Sequence, residues 1–177
     1  LVQTGEVNEA LSTLRYILRN IEDLALYNEL WMPVTEFRSR LLDIGRKLRL
    51  AEKFDKAIEL AELMALAFPR SDSVRLRAEA LEQWADVIAA RLNEGDNTAQ
   101  VSHREQSQAK HHEAAELYTQ LAQLELRSTD YPNILWLAIT NFQQAGELER
   151  ANELLVDYLR HEDRTKRPRG YLALGRN

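Results

Sequence analysis

Apolar residues recur at steps of three and four along most of the chain, the spacing that marks one face of a helix. Ala10, Leu14, Ile17, Ile21, Leu24 and Tyr27 or Asn28 predict a first helix. Pro33 interrupts, and Thr35 is expected to cap the next helix, because its side-chain oxygen can accept a free N–H of the first turn. Phe37, Leu41, Ile44, Gly45 and Leu48 would line that helix's inner face. After a turn near Glu52-Lys53, the next face reads Phe54, Ala57, Ile58, Ala61, Met64, Ala65 and Phe68, closed by Pro69. Ser71 or Asp72 is expected to cap a longer helix with Val74, Ala78, Leu81, Ala85, Ile88 and Leu92 facing inward.

Asn93-Glu94-Gly95-Asp96-Asn97 reads as a loop. Residues 98–113 are polar, with Val101 their one large apolar side chain. The helical pattern resumes at Ala114, Leu117, Tyr118, Leu121 and Leu124. Pro132 suits the first turn of another helix, with Leu135, Ala138, Ile139 and Phe142 inward. Gly146 makes a turn, and Ala151, Leu154, Leu155, Tyr158 and Leu159 complete the pair. Strand-like alternation is absent, so the expected class is all-α.

Three short stretches share one pattern: Gly5-Glu6-Val7-Asn8-Glu9-Ala10, Glu52-Lys53-Phe54-Asp55-Lys56-Ala57 and Gly146-Glu147-Leu148-Glu149-Arg150-Ala151. Each reads as a tight turn, a hydrophobic residue, a helix start and a small residue where two helices touch. Helices approach to about 8–10 Å where small side chains lie between them. A lone hairpin cannot bury its apolar face, so recurring hairpins stack.

These residues resemble the tetratricopeptide repeat. Leu41, Ile44, Gly45 and Leu48 fit the first helix of one unit, with Ala57, Ala61, Met64 and Pro69 in its second. Leu135, Ala138, Ile139 and Phe142 fit another first helix, with Ala151, Leu155 and Tyr158 following. Tyr171, Leu174 and Gly175 match the start of a further unit, and Gly5 and Ala10 the end of an earlier one. The resemblance implies antiparallel helical hairpins in a right-handed superhelix, one domain over residues 1–177, truncated at both ends of a longer, bacterial-style repeat protein. The repeat runs about 34 residues in the family, whereas 47 separate Ala10 from Ala57 and 94 separate Ala57 from Ala151. The middle hairpin is therefore expected to be enlarged, with an insertion around Asn93 to His112 and either Ala78 or Ala85 as its small contact residue.

Composition narrows the chemistry. The 177 residues include 6 Gly, 4 Pro and no Cys, which favours helix and removes disulfides, thiolate metal sites and cysteine nucleophiles. A net charge of −5 argues against a general nucleic-acid binder. No apolar run is long enough to insert in a membrane. His112 shares a helix face with Glu116 and Gln108, but adjacent His111 points about 100° away and a zinc site needs three or four ligands. No metal or cofactor is expected. No phosphate loop or catalytic motif is present, so the chain reads as a non-enzyme. Residues 160–176 carry six Lys or Arg against two acids, a net of +4, which leaves the rest of the chain at −9.

In the family, the first helix of each unit lines a concave groove. The resemblance therefore implies a peptide-binding groove with Ser39, Leu42, Arg46 and Arg49 from one unit and Asn133, Trp136, Thr140 and Gln143 from another. Arg169, Leu172 and Arg176 would extend it. An exposed Trp136 suits an extended peptide; packing against the neighbouring hairpin is the equal alternative. The arginines favour an acidic ligand. The expected function is a protein-interaction scaffold. The alternatives are a spacer that self-associates through a projecting 93–112 hairpin, or a regulatory module attached to a catalytic or DNA-binding domain. Compartment is not legible.

Overall fold

The computed structural model describes residues 7–21, 27, 32–91 and 97–177. It holds eight helices among these residues: α1 (Val7–Asn20), α2 (Val34–Leu50), α3 (Phe54–Met64), α4 (Arg70–Ala90), α5 (Asn97–Leu124), α6 (Tyr131–Ala145), α7 (Leu148–His161) and α8 (Arg167–Arg176). No strand occurs among the described residues, and the chain is all-α. None of the described helices is long and apolar enough to cross a membrane. Contacts gather into two units, residues 1–80 and 81–177, with α4 contributing to each.

In the first unit, α3 packs against both α1 and α2. Leu41 and Leu48 of α2 meet Ala57, Leu60, Ala61 and Met64 of α3, with Leu11 and Leu18 of α1 and Leu76 and Ala80 of α4 closing the cluster. The inward face of α1 is broader than expected. Ala10 is buried and Leu14 and Ile21 pack on the core as expected, but Val7, Leu11 and Leu18 are buried as well and Ile17 is exposed. Leu24 and Asn28 lie outside the described residues, while Tyr27 stacks on Phe37 with ring centroids 5.9 Å apart.

Helix starts also differ from expectation. Thr35 is not the cap of α2; Pro33 holds that place and its carbonyl accepts the Phe37 N–H at 3.0 Å. Nor does Pro69 close α3, which ends at Met64 and leaves through a turn in which Leu66 N bonds Leu63 O. Pro69 instead precedes α4, and its carbonyl accepts the Asp72 N–H at 3.0 Å. Ser71 and Asp72 sit inside the first turn of α4, where the Asp72 carboxylate is taken by Arg38.

In the second unit the helices follow in chain order, α5 against α6, α6 against α7 and α7 against α8. Residues 97–112 do not form a projecting hairpin. They are the first part of the 28-residue α5, one edge of which is seated on α4: Ser107 Oγ donates to Ala85 O at 3.0 Å. Its outer positions stay in water, Val101 among them. Residues 93–96 of the expected loop, with Leu92, lie outside the described residues, and Asn97 already belongs to α5.

Two of the three recurring stretches fold alike. Glu52 and Gly146 both take a left-handed backbone, with φ of 55° and 85°. After each, the next N–H reaches back to close the preceding helix: Lys53 N to Leu48 O and Glu147 N to Phe142 O, both 2.9 Å. This is the Schellman closure, which satisfies carbonyls the helix end leaves free. The small residues Ala57 and Ala151 then follow, each fully buried. Gly5, the first residue of the third stretch, lies outside the described residues.

Candidate binding surface

In the first unit the buried edge of α2 is Leu41–Gly45–Leu48, and the adjacent edge carries Ser39, Leu42, Arg46 and Arg49. A side chain at position 45 would meet Leu76 of α4, since an added Cβ would lie 2.7 Å from Leu76 Cδ1. Glycine there lets α4 come close enough for its own edge of Asp72, Arg75, Leu76 and Glu79 to face α2. The two edges enclose an open cleft of about 420 Å³. All four residues expected from this unit line it.

Charge in the cleft is balanced, three arginines (46, 49 and 75) against Asp43, Asp72 and Glu79. Arg38 grips Asp72 with both nitrogens, at 2.5 and 2.6 Å. Arg49 meets Glu79 at 2.8 Å and is only 11% exposed, so this pair is set into the wall. Arg46 differs. It meets Asp43 one helical turn away at 2.6 Å but is 67% exposed. Lys47 and Arg46 together hold the Asp43 carboxyl below its ordinary value. Water screens an exposed pair of this kind, so Arg46 can be redirected at little cost.

The second set of expected residues is engaged within its own unit. The Arg169 guanidinium lies 4.4 Å from the centre of the Trp136 ring and 5.1 Å from that of Tyr158. It donates to the Tyr158 hydroxyl and, at 3.1 Å, to Glu162. Burial pushes the Glu162 carboxyl up, but the Asp163 N–H, the Tyr158 hydroxyl, Lys166 and Arg169 outweigh it and the pKa falls below its ordinary value. Thr140 Oγ1 donates to Trp136 O and Leu137 O, Gln143 donates to Asn177 at 2.8 Å, and Asn133 to Asp130 at 2.9 Å. Arg176 stands exposed on α8. The packing alternative for Trp136 therefore describes its surroundings: Tyr158 of α7 and Arg169 of α8.

A polar network that the sequence reading missed crosses the second unit. Asn141 donates to Glu82 at 3.0 Å and to Leu137 O at 2.9 Å, which leaves its Oδ1 as acceptor. His111 Nδ1, 2.9 Å away, must then carry the proton and donate. Its Nε2 points towards Asp86 at 3.7 Å, and Tyr118 donates to the other Glu82 oxygen at 2.6 Å. His112 faces elsewhere, 2.5 Å from Glu147, and Glu116 pairs with Arg150 at 2.8 Å, so the His112–Glu116 edge is spent on α7.

The missed residues of the cleft are Asp43 of α2 and those of α4. Its inward face reads plainly as Val74, Ala78 and Leu81, whereas Leu76 and Ala80, buried on a second face, blur the period. Asp72 and Glu79, spaced to bracket Leu76, were the available signal. Compared with protein-family models, with curated proteins and with solved structures, the chain matches none.

Proposed function

We propose that the chain is an interaction module built from helical repeats of the tetratricopeptide kind, its hairpins stacked as a right-handed superhelix, and that it binds an extended protein segment in the α2–α4 cleft. The observation that carries this reading is the convergence of Ser39, Leu42, Arg46 and Arg49 with Leu76 in one open cleft. Support for the repeat comes from the equivalent turns at Glu52 and Gly146, each followed by a fully buried alanine.

The cleft's chemistry shapes the ligand. Leu42 and Leu76 offer an apolar floor, and Arg46 is an exposed cation held by an exposed partner on its own helix. The ligand is then a peptide with an apolar side chain on that floor and a carboxylate at Arg46. A run of acids gains less, because Arg38 and Arg49 already hold carboxylates of the chain. Panning a random peptide library on the chain, followed by calorimetry of the selected peptides, tests this. Binding that weakens at least tenfold in Leu42→Asp and several-fold in Arg46→Glu supports it. Selection of no peptide, or affinities indifferent to both changes, refutes it.

A further inference from the structure

Trp84, Ile88 and Arg91 recur at steps of four and three along α4 and just past its end, and His103, Gln106 and Lys110 at steps of three and four along α5. Each set is therefore one edge of its helix. The two helices touch where Ser107 Oγ donates to Ala85 O at 3.0 Å. Beside that contact they leave a cleft of about 410 Å³, lined by these two edges and Ala109. The cavity has a cause in the sequence. Trp84 and Ile88 present apolar surface, whereas α5 brings to them an alanine, an amide and two basic side chains, and no large apolar one. Lys110 reaches across, its ammonium 5.1 Å from the centre of the Trp84 ring.

Three of the lining residues are basic, Arg91, His103 and Lys110, and none is acidic. The α2–α4 cleft differs, since arginines and carboxylates balance there. Lys110 pairs with Glu113 at 2.9 Å, but that carboxylate does not line the cleft and is 49% exposed, so water screens the pair. The His103 Nδ1 is buried with no hydrogen-bond partner among the described residues. Buried polar atoms are otherwise almost always paired. The imidazole therefore gives up no bond at that nitrogen when it turns towards a ligand.

We propose that the α4–α5 cleft of the second unit binds a small aryl carboxylate, with its ring against Trp84 and Ile88 and its carboxylate at Gln106, between His103 and Lys110. Size and composition choose the ligand class. The cleft falls within the range of about 300–1,000 Å³ typical of small-molecule sites. Its apolar wall takes a flat ring, and basic residues drawn from both sides select an anion over a cation. The Gln106 amide can donate a further hydrogen bond to the carboxylate. This site shares no residue with the α2–α4 cleft and does not depend on the peptide-binding reading of it.

The test is an NMR titration of 2-naphthoate into the full, isotopically labelled chain. Saturable one-to-one binding is expected, with contacts from the naphthalene ring to the Ile88 methyls and shifts at the Gln106 side-chain amide and the Trp84 indole. Ala109→Trp, a change at an exposed position, fills the cleft and should weaken binding at least tenfold. Lys110→Gln and His103→Phe should each weaken it at least threefold, with helical circular dichroism unchanged. The amine 2-naphthylmethylamine, which carries the same ring on a cation, should bind at least tenfold more weakly. Absence of saturable binding overturns the inference. Equal binding of the amine also overturns it, because the cleft would then select no charge. Binding that ignores Ala109→Trp, or that is lost in Leu42→Asp, overturns it by placing the ligand elsewhere.

Discussion

Glu52 and Gly146 occupy the same place in two copies of one turn. Both have positive φ, and in both the following N–H closes the preceding helix. The left-handed region is nearly free for glycine and costs another L-residue about 1–2 kcal/mol. Glu52→Gly should therefore stabilise the first unit by about 1 kcal/mol. Gly146→Ala should destabilise the second by about 1 kcal/mol, on conformation alone, because the nearest atom to an added Cβ is Gln108 Nε2 at 3.7 Å. Chemical denaturation of the two variants measures both signs.

Gly45 is needed for the opposite reason, close approach. In an open helix Gly→Ala gains about 1 kcal/mol. Here the added Cβ would stand 2.7 and 2.9 Å from the two Leu76 methyls, and Leu76 is buried. Gly45→Ala should cost about 1 kcal/mol net, as overpacking does. In a Leu76→Ala background the same change should turn stabilising. A double-mutant cycle by denaturant titration reads the coupling, and additive effects would deny the contact.

Asn141 ties α4, α5 and α6 of the second unit through Glu82 and His111. Asn141→Leu would leave the His111 Nδ1–H and one Glu82 oxygen without their partner. Unmade buried hydrogen bonds cost about 1–3 kcal/mol each, so a loss of about 2–4 kcal/mol is expected in urea unfolding. In the proton NMR spectrum the slowly exchanging Nδ1–H signal of His111 should vanish with it.

Burial, with the Asp157 carboxylate adding, pushes the Tyr131 phenol up to about 12. A folded value above the unfolded one means that the folded state holds the proton more tightly. Its contribution is whole below the ordinary tyrosine value of about 10 and is lost as pH rises from there to about 12. The unfolding midpoint of the natural chain should fall across that window more steeply than that of Tyr131→Phe.

Glu162 acts at the acid end. Its lowered pKa gives a contribution that is present above the ordinary carboxylate value and is lost as pH falls through the folded one. Glu162→Gln should destabilise the α7–α8 contact, flatten the acid limb of the stability curve and change the Trp136 fluorescence, since Arg169 would lose its anchor over that ring.

Amphipathic periodicity made the helices legible, and the face of α2 was legible almost residue by residue; in α3 the buried Leu60 and Leu63 fall outside the expected face, and Ala65, expected inward, is exposed beyond the helix end. Helix starts were less so. Thr35 and Asp72 have the right chemistry for caps, but Pro33 and a pairing with Arg38 took those places, and neither is visible in local sequence. The polar stretch at 98–113 looked like an insertion because its buried members are Ser107 and His111, polar residues whose partners lie on other helices. The first set of cleft residues was legible because all four lie on one helix edge. The engagement of Arg169 with Trp136, Tyr158 and Glu162 was not, because it depends on how α8 meets α7.

The central claim, that the α2–α4 cleft receives a protein segment, is tested most directly by mapping a library-selected peptide onto the isotopically labelled chain by NMR. The account predicts shift changes concentrated at Ser39, Leu42, Arg46 and Leu76, together with peptide-to-chain nuclear Overhauser contacts at the Leu42 and Leu76 methyls. Changes scattered over the surface, or gathered at residues outside this cleft, would contradict it.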